Sequence, residues 1–326
     1  MRRCITGLLL VCIILFFTGC AKRGGTDYKP TYSPAPEPSL LPVDTEIPQA
    51  DTRQTFSFLF FSDTQPDPET GDYSGFGELL STAVSRVTTP ELIIFGGDTV
   101  NDGGDEAEWE AFKNAVGQSL DGSITAAVAG NHDSYMLLAE QFDYPTTAPH
   151  SPGEAFFYTL HYGGVFFVML DSNIMGAANQ KDVDWLQNEL QSDAALQADW
   201  IIAVMHHPMW PVADNPKDVQ RAEKMREYFL PLLEDNGTDL ILCGHQHIYS
   251  RTMPMRAENA ADNGQGIIQI MVASGDKASY AAAERDYLAA ESATPCYLMI
   301  TIDKDSLSVT AYDAVQAIDE FVIHSS

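Results

Sequence analysis

Apolar and polar positions follow two alternating rhythms along most of this chain. Thr55 to Phe61 is a β-prone run, and Phe76, Leu79, Leu80, Ala83, Val84 and Val87 then recur at the spacing of one helix face. A second run, Leu92 to Phe95, leads through a polar loop to a helical pattern at Glu106 to Val116 and a third run at Ile124 to Ala129. That opening predicts consecutive βαβ units, hence parallel strands with covering helices. Phe156 to Leu160 and Val165 to Leu170, joined through Tyr162-Gly163-Gly164, predict a hairpin instead. A helix at Asp182 to Leu190 precedes a strand at Trp200 to Met205, and a helix at Ala222 to Leu233 precedes Leu240 to Cys243. The remaining runs, Ile267 to Ala273, Tyr297 to Ile302, Leu307 to Ala311 and Phe321 to Ile323, are strands with short turns. The expected fold class is α/β: two mixed sheets packed as a sandwich, with helices on the outer faces.

The first 53 residues do not share these rhythms. Arg2 and Arg3, the apolar stretch Leu8 to Phe17 and the small-residue site Phe17-Thr18-Gly19-Cys20 make residues 1–19 an expected export signal. Its ending resembles the bacterial lipoprotein signal, in which the cysteine is lipid-modified. Cys20 would then anchor the chain to a bacterial membrane outside the cytoplasm. Six prolines between Pro30 and Pro48 make residues 20–53 an extended tether. Residues 54–326 suffice for one α/β domain.

Composition narrows the partners. With 46 acidic against 18 basic residues the net charge is −28, a field that repels polymeric DNA or RNA. Cys243 and Cys296 are the only thiols of the folded part and lie in apolar runs, which favours buried free cysteines; a single disulfide between them stays open.

Chemistry gathers at the ends of the predicted strands: Asp63, Asp98, Asn131-His132-Asp133, His206-His207 and His245-Gln246-His247. Ligands in open α/β sheets bind beyond the carboxyl ends of strands. Each segment alone is compatible with turn or cap chemistry. Carboxylate, amide and imidazole at five successive strand ends point to a polynuclear metal site. Asp171 and Asn173, on the same rim, read as turn residues.

These residues carry a resemblance. Asp63-Thr64-Gln65, Gly97-Asp98, Gly130-Asn131-His132-Asp133, His206 and Gly244-His245-Gln246-His247 resemble the ordered motifs of the calcineurin-like metallophosphoesterases, which include the purple acid phosphatases. Tyr158-Thr159-Leu160, Leu170-Asp171-Ser172, His206-His207-Pro208 and Tyr249-Ser250-Arg251-Thr252 extend the likeness over most of Phe56 to Ile323. The resemblance implies a four-layer αββα fold and two divalent ions bridged by Asp98. Asp63 and His247 would hold the first, and Asn131, His206 and His245 the second. A hydroxide held by the pair would attack phosphorus. His132 would act as general acid or stabilise charge on the leaving group, with Asp133 orienting its ring.

Two positions depart from the pattern. Many members have histidine where this chain has Gln65, so an amide oxygen would bind the first ion weakly or through water. Purple acid phosphatases have tyrosine where this chain has Asn101, so manganese, zinc or iron(II) is expected without the iron(III)-tyrosinate colour. His207, Trp210, Tyr249 and Arg251 are candidate substrate contacts. The expected activity is hydrolysis of small phosphate esters such as nucleotides. A phosphodiesterase acting on cyclic nucleotides or other diesters, and a non-catalytic metal- or phosphate-binding lipoprotein, are the alternatives.

Overall fold

Each long apolar run becomes a strand, and the strands sort into two large sheets. The computed structural model describes residues 55–87, 90–142, 155–175, 180–261 and 264–325, all within one unit, Asp44–Ser326. The expected signal with Cys20 and the tether lie outside the described residues. The chain opens as β1 (Phe56–Phe61), α1 (Ser74–Arg86), β2 (Leu92–Phe95), α2 (Glu106–Val116), β3 (Ile124–Ala127) and α3 (Tyr135–Gln141). It continues through β4 (Tyr158–Tyr162), β5 (Val165–Leu170), α4 (Ser172–Met175), α5 (Gln180–Leu190), α6 (Asp193–Gln197) and β6 (Trp200–Met205). After α7 (Pro216–Tyr228), α8 (Leu230–Asp235) and β7 (Leu240–Cys243), the remainder is strand. These are β8 (Tyr249–Thr252), β9 (Met255–Arg256), β10 (Asn259–Ala260), β11 (Ile268–Met271), β12 (Leu288–Ser292), β13 (Tyr297–Ile302), β14 (Ser306–Tyr312) and β15 (Ala317–His324).

The first sheet runs β15-β14-β13-β1-β2-β3 and the second β12-β8-β11-β7-β6-β5-β4. β1, β2 and β3 are parallel, as βαβ connections require, and so are β5, β6, β7 and β11; the outer strands pair antiparallel. Gly163 and Gly164, with φ of 58° and 84°, close the β4–β5 hairpin in the doubly left-handed turn that matches strand twist.

The period of two decides what each strand residue buries. In the second sheet, Phe167, Met169, Ile202, Val204, Leu240, Leu242 and Ile270 join the core shared with Phe58 and Phe60 of β1. Their neighbours Phe166, Val168, Ala203, Met205, Ile241 and Met271 face the other way, onto Leu186 of α5, Met225 of α7 and Leu233 of α8. Phe58 and Phe167 meet edge to face at 5.3 Å across the seam. On the far side of the first sheet, Phe76 of α1 stacks on Phe112 of α2 at 5.9 Å and meets Phe61 at 5.7 Å. Helix, sheet, sheet and helix layers follow, because both faces of each central strand are apolar.

Several boundaries differ from the sequence expectation. The single helix at Ala222 to Leu233 is two helices hinged at Phe229, because Pro231 cannot donate a backbone hydrogen bond. α7 begins earlier, where the Asn215 side chain caps Lys217 N at 3.0 Å ahead of Pro216. β8 and β12, unmarked by apolar runs, are strands, and β15 is longer than Phe321 to Ile323. Cys243 and Cys296 are free and buried, so the disulfide alternative is set aside.

Candidate metal centre

The carboxyl ends of β1, β2, β6, β7 and β11 converge on one rim. Gly96 N donates to Phe61 O at 2.7 Å and Asp63 N to Gly97 O at 2.9 Å, tying the β1 and β2 ends together. Within the second sheet, Gly244 N donates to His206 O at 2.9 Å, and across the seam His245 N donates to Asp63 Oδ2 at 2.8 Å. A Cβ at Gly244 would lie 2.1 Å from that same oxygen, so only glycine lets the two sheets approach here.

Backbone conformation marks the same residues. Among the described residues, five other than glycine have positive φ, and four of them are predicted ligands: Asp63 (49°), Asp98 (51°), His245 (82°) and His247 (52°). Each left-handed residue costs on the order of 1 kcal/mol, a strain that clusters where side-chain aim matters more than stability.

Three histidines are oriented in one manner. His206 Nδ1 donates to Gly96 O and His247 Nδ1 to Ala278 O, both at 2.9 Å, while His245 Nε2 donates to Asp218 Oδ1, also at 2.9 Å. Each neutral ring is left with one bare nitrogen. His206 Nε2 then lies 3.4 Å from Asp98 Oδ2, and His247 Nε2 lies 3.3 Å from Asp63 Oδ1. A lone pair facing a carboxylate is repulsive unless a cation or a proton sits between them. Without a metal the proton takes that place. Burial would push His206 down, but the Asp98 carboxylate raises it to about 9. Burial alone would raise Asp98, and the charge and hydrogen bond of His206 pull it below the usual carboxylate range.

The donors suit divalent ions. Asp63, Asp98 and His206 place ligand atoms within 4.8 Å of one another, and so do His206, His207 and His245. Asp63 Oδ1, Gln65 Oε1, His206 Nε2 and His245 Nδ1 are buried without a hydrogen-bond partner. Four such orphans in one place would cost about 1–3 kcal/mol each if nothing bound them. The free Gln65 oxygen fits its expected role as a ligand, since its Nε2 is spent on Val100 O at 2.8 Å. Asn131 is the exposed member, held between Gly130 N, which donates to Asp133 at 2.9 Å, and His132 N, which donates to Asp98 Oδ1 at 2.8 Å.

Some expected roles are corrected. Asp133 does not orient the His132 ring: its carboxylate accepts from Asp98 N at 2.8 Å, Thr99 N at 2.9 Å and Gly130 N, so it pins the loop of Asp98. Burial and the nearby Asp98 charge push Asp133 upward. The His132 ring instead places Nδ1 2.6 Å from Asn101 O. Tyr249 and Arg251 are not substrate contacts, because both grip Asp319 of the opposite sheet, at 2.7 Å and 2.6 Å. They sit two residues apart on one strand face, turned to the seam. Trp210 is buried in the core under α7, its backbone held by the Gln269 amide. His207 lies beside the ligands, its ring 4.1 Å from His245, but Ser172 Oγ and Arg221 occupy its two nitrogens. The Asn101 side-chain oxygen is buried and unpartnered while its amide donates to Pro66 O at 3.2 Å.

Other functional positions carried no signal in sequence reading. Asp218 of α7 fixes both His245 and Gln246, the latter at 2.8 Å. Asn173 does more than form a turn, its amide bracing Ala129 O and Gly130 O at 3.1 Å each. The segment after β11 completes the rim: Ser274 N and Gly275 N donate to Ser62 O and Asp63 O at 2.8 Å, and Lys277 Nζ lies 3.2 Å from His132 Nε2. Gly275-Asp276-Lys277 follows the strand run Ile267 to Ala273, so the strand-end rule applies to it as a sixth segment.

The family model described as calcineurin-like phosphoesterase matches residues 56–249. The chain is similar to purple acid phosphatase 15 of Arabidopsis thaliana, 26% identical over 133 residues, covering 38% of this chain and 24% of that one. It is also similar to a probable cyclic nucleotide phosphodiesterase of Rhodococcus erythropolis, 28% identical over 188 residues, covering 54% and 57%. The chain thus spans less than two thirds of the length of either relative. In fold it is similar to a purple acid phosphatase from yellow lupin (Lupinus luteus) seeds, with TM-score 0.67 and 15% identity over 83% of this chain and 54% of that one.

Proposed function

The chain belongs to the calcineurin-like phosphoesterase family, and on that premise we propose that it hydrolyses small phosphate esters, nucleotides included, at a site holding two divalent ions of manganese, zinc or iron. The observation that carries this reading is the set of bare, buried ligand atoms on Asp63, Gln65, His206 and His245, on a rim where four predicted ligands hold left-handed backbone. Divalent ions bound there supply Lewis acidity toward phosphoryl oxygens and lower the pKa of a water.

The side chains have separable tasks. Asp98 offers Oδ2 between the two ligand groups, while its Oδ1 is fixed by His132 N. Asp133 clamps the backbone of Asp98 and Thr99, so the carboxylate is aimed before any ligand arrives. His132 keeps Nδ1 on Asn101 O and its Nε2 lies 3.2 Å from Lys277 Nζ, so its task is to hold that cation where charge builds on the leaving oxygen rather than to donate a proton. Asp218 holds His245 with its Nδ1 bare, and the Gly96 and Ala278 carbonyls do the same for His206 and His247 at Nε2.

Monoester hydrolysis is the leading reading, supported by the likeness to purple acid phosphatases. Diester hydrolysis is the second, supported by the Rhodococcus erythropolis relative. The full chain, loaded separately with Mn²⁺, Zn²⁺ and Fe²⁺, is expected to release p-nitrophenol from p-nitrophenyl phosphate faster than from the bis-ester. The reverse order assigns the diester, and no turnover with any metal removes the enzyme in favour of a binding protein. Cys20 and the residues around it motivate an extracytoplasmic, lipid-anchored location. In a bacterial host, Cys20→Ala is expected to move the protein from membranes to the soluble fraction; membrane retention would remove the lipid anchor.

A further inference from the structure

Lys277 is a cation on the rim of the candidate metal centre. It is half-buried, and among the described residues no carboxylate stands within ion-pair distance of Nζ, although the sequence has 46 acidic residues. Its polar partner is a neutral acceptor: Nζ lies 3.2 Å from Nε2 of His132. Because His132 Nδ1 faces the Asn101 carbonyl at 2.6 Å, that nitrogen is the donor, and Nε2 is left to accept from the ammonium. Two N–H groups of Lys277 are then free to turn to another acceptor.

The backbone around Lys277 is fixed on both sides. Asp276 N donates to Gln65 O at 3.0 Å, and Ala278 O accepts from His247 Nδ1 at 2.9 Å. The lysine is therefore carried between the anchors of two predicted ligands of the first ion. Burial pushes the Lys277 ammonium down, and the Asp98 and Asp63 carboxylates work against that. Glu108 adds to that field but its oxygens accept from Tyr73 Oη, Asn101 N and Asp102 N, so an anion entering the pocket can take the free N–H groups of Nζ.

Resting on the phosphoesterase reading above, we propose that Lys277 is a substrate-binding residue that contacts a phosphoryl oxygen, oriented by His132, and that it selects dianionic phosphate monoesters over monoanionic diesters. An ammonium adds more to the binding of two negative charges than of one, and a charge-assisted hydrogen bond in a partly buried site is among the strong ones.

The test uses the metal-loaded full chain as wild type, Lys277→Met and Lys277→Arg. Binding of inorganic phosphate is measured by calorimetry, hydrolysis of p-nitrophenyl phosphate and its bis-ester by absorbance, and bound metal by atomic emission. For Lys277→Met, phosphate affinity and monoester kcat/KM are expected to fall roughly 10- to 100-fold. The bis-ester should change less than about 3-fold, given one charge fewer on that substrate. Lys277→Arg should recover most of the phosphate affinity, and metal content should be equal in all three. Unchanged phosphate affinity, equal losses on the two esters, or a loss explained by missing metal would each overturn the proposal. If the wild type turns over neither ester, the hydrolase reading fails by itself and phosphate affinity decides on Lys277.

Discussion

On one side of the metal pocket, ring orientation is set by backbone: His206 and His247 rest on the carbonyls of Gly96 and Ala278. On the other side it is set by side chains: His245 rests on Asp218, and its neighbour His207 is held between Ser172 and Arg221. Asp98 Oδ2 lies 3.4 Å from His206 Nε2. A carbonyl fixed in a strand-end loop cannot be mutated away, whereas a carboxylate on a separate helix can. The two sides should therefore respond differently to substitution, although each leaves a bare imidazole nitrogen, Nε2 of His206 and His247 and Nδ1 of His245.

The largest expected effect removes what the two sides share. Asp98→Asn, measured by metal content and phosphoesterase rate, should reduce both, the rate by at least about 100-fold, since a neutral amide no longer offsets repulsion between two cations. An intermediate effect separates the sides. Asp218→Asn should weaken one of two metal-binding steps by about 10- to 100-fold in a metal titration and leave the other in place. Equal weakening of both steps would erase the contrast between backbone and side-chain support. The smallest effect lies away from the pocket, at the seam where Asp319 accepts from Tyr249 and Arg251. Asp319→Ala should lower unfolding stability by about 1–3 kcal/mol, read by denaturant titration, with metal content unchanged.

The sequence was most informative where one rule acts locally. The apolar runs at 56–61, 165–170 and 200–205 became β1, β5 and β6, and the strand-end rule placed Asp63, Asp98, His206, His245 and His247 on one rim. It was silent where a role exists only after the sheets close. Asp218 reaches His245 across 27 positions and Lys277 reaches His132 across 145, and neither spacing leaves a pattern. Tyr249 and Arg251 turn to Asp319 instead, because proximity in sequence to His247 says nothing of the strand face they occupy. Asp133 departs from expectation because its neighbour in sequence, His132, is not its hydrogen-bond partner; the Asp98 loop is. The break at Phe229 was legible in Pro231, whose signal the apolar spacing of 222–233 overrode.

The proposed chemistry requires a pair of ions joined through Asp98. Electron paramagnetic resonance of the metal-free full chain titrated with Mn²⁺ tests this most directly. Two ions per chain with the signature of a spin-coupled pair, and loss of that coupling in Asp98→Asn, is the predicted result. A single uncoupled ion, or coupling that survives Asp98→Asn, would contradict it.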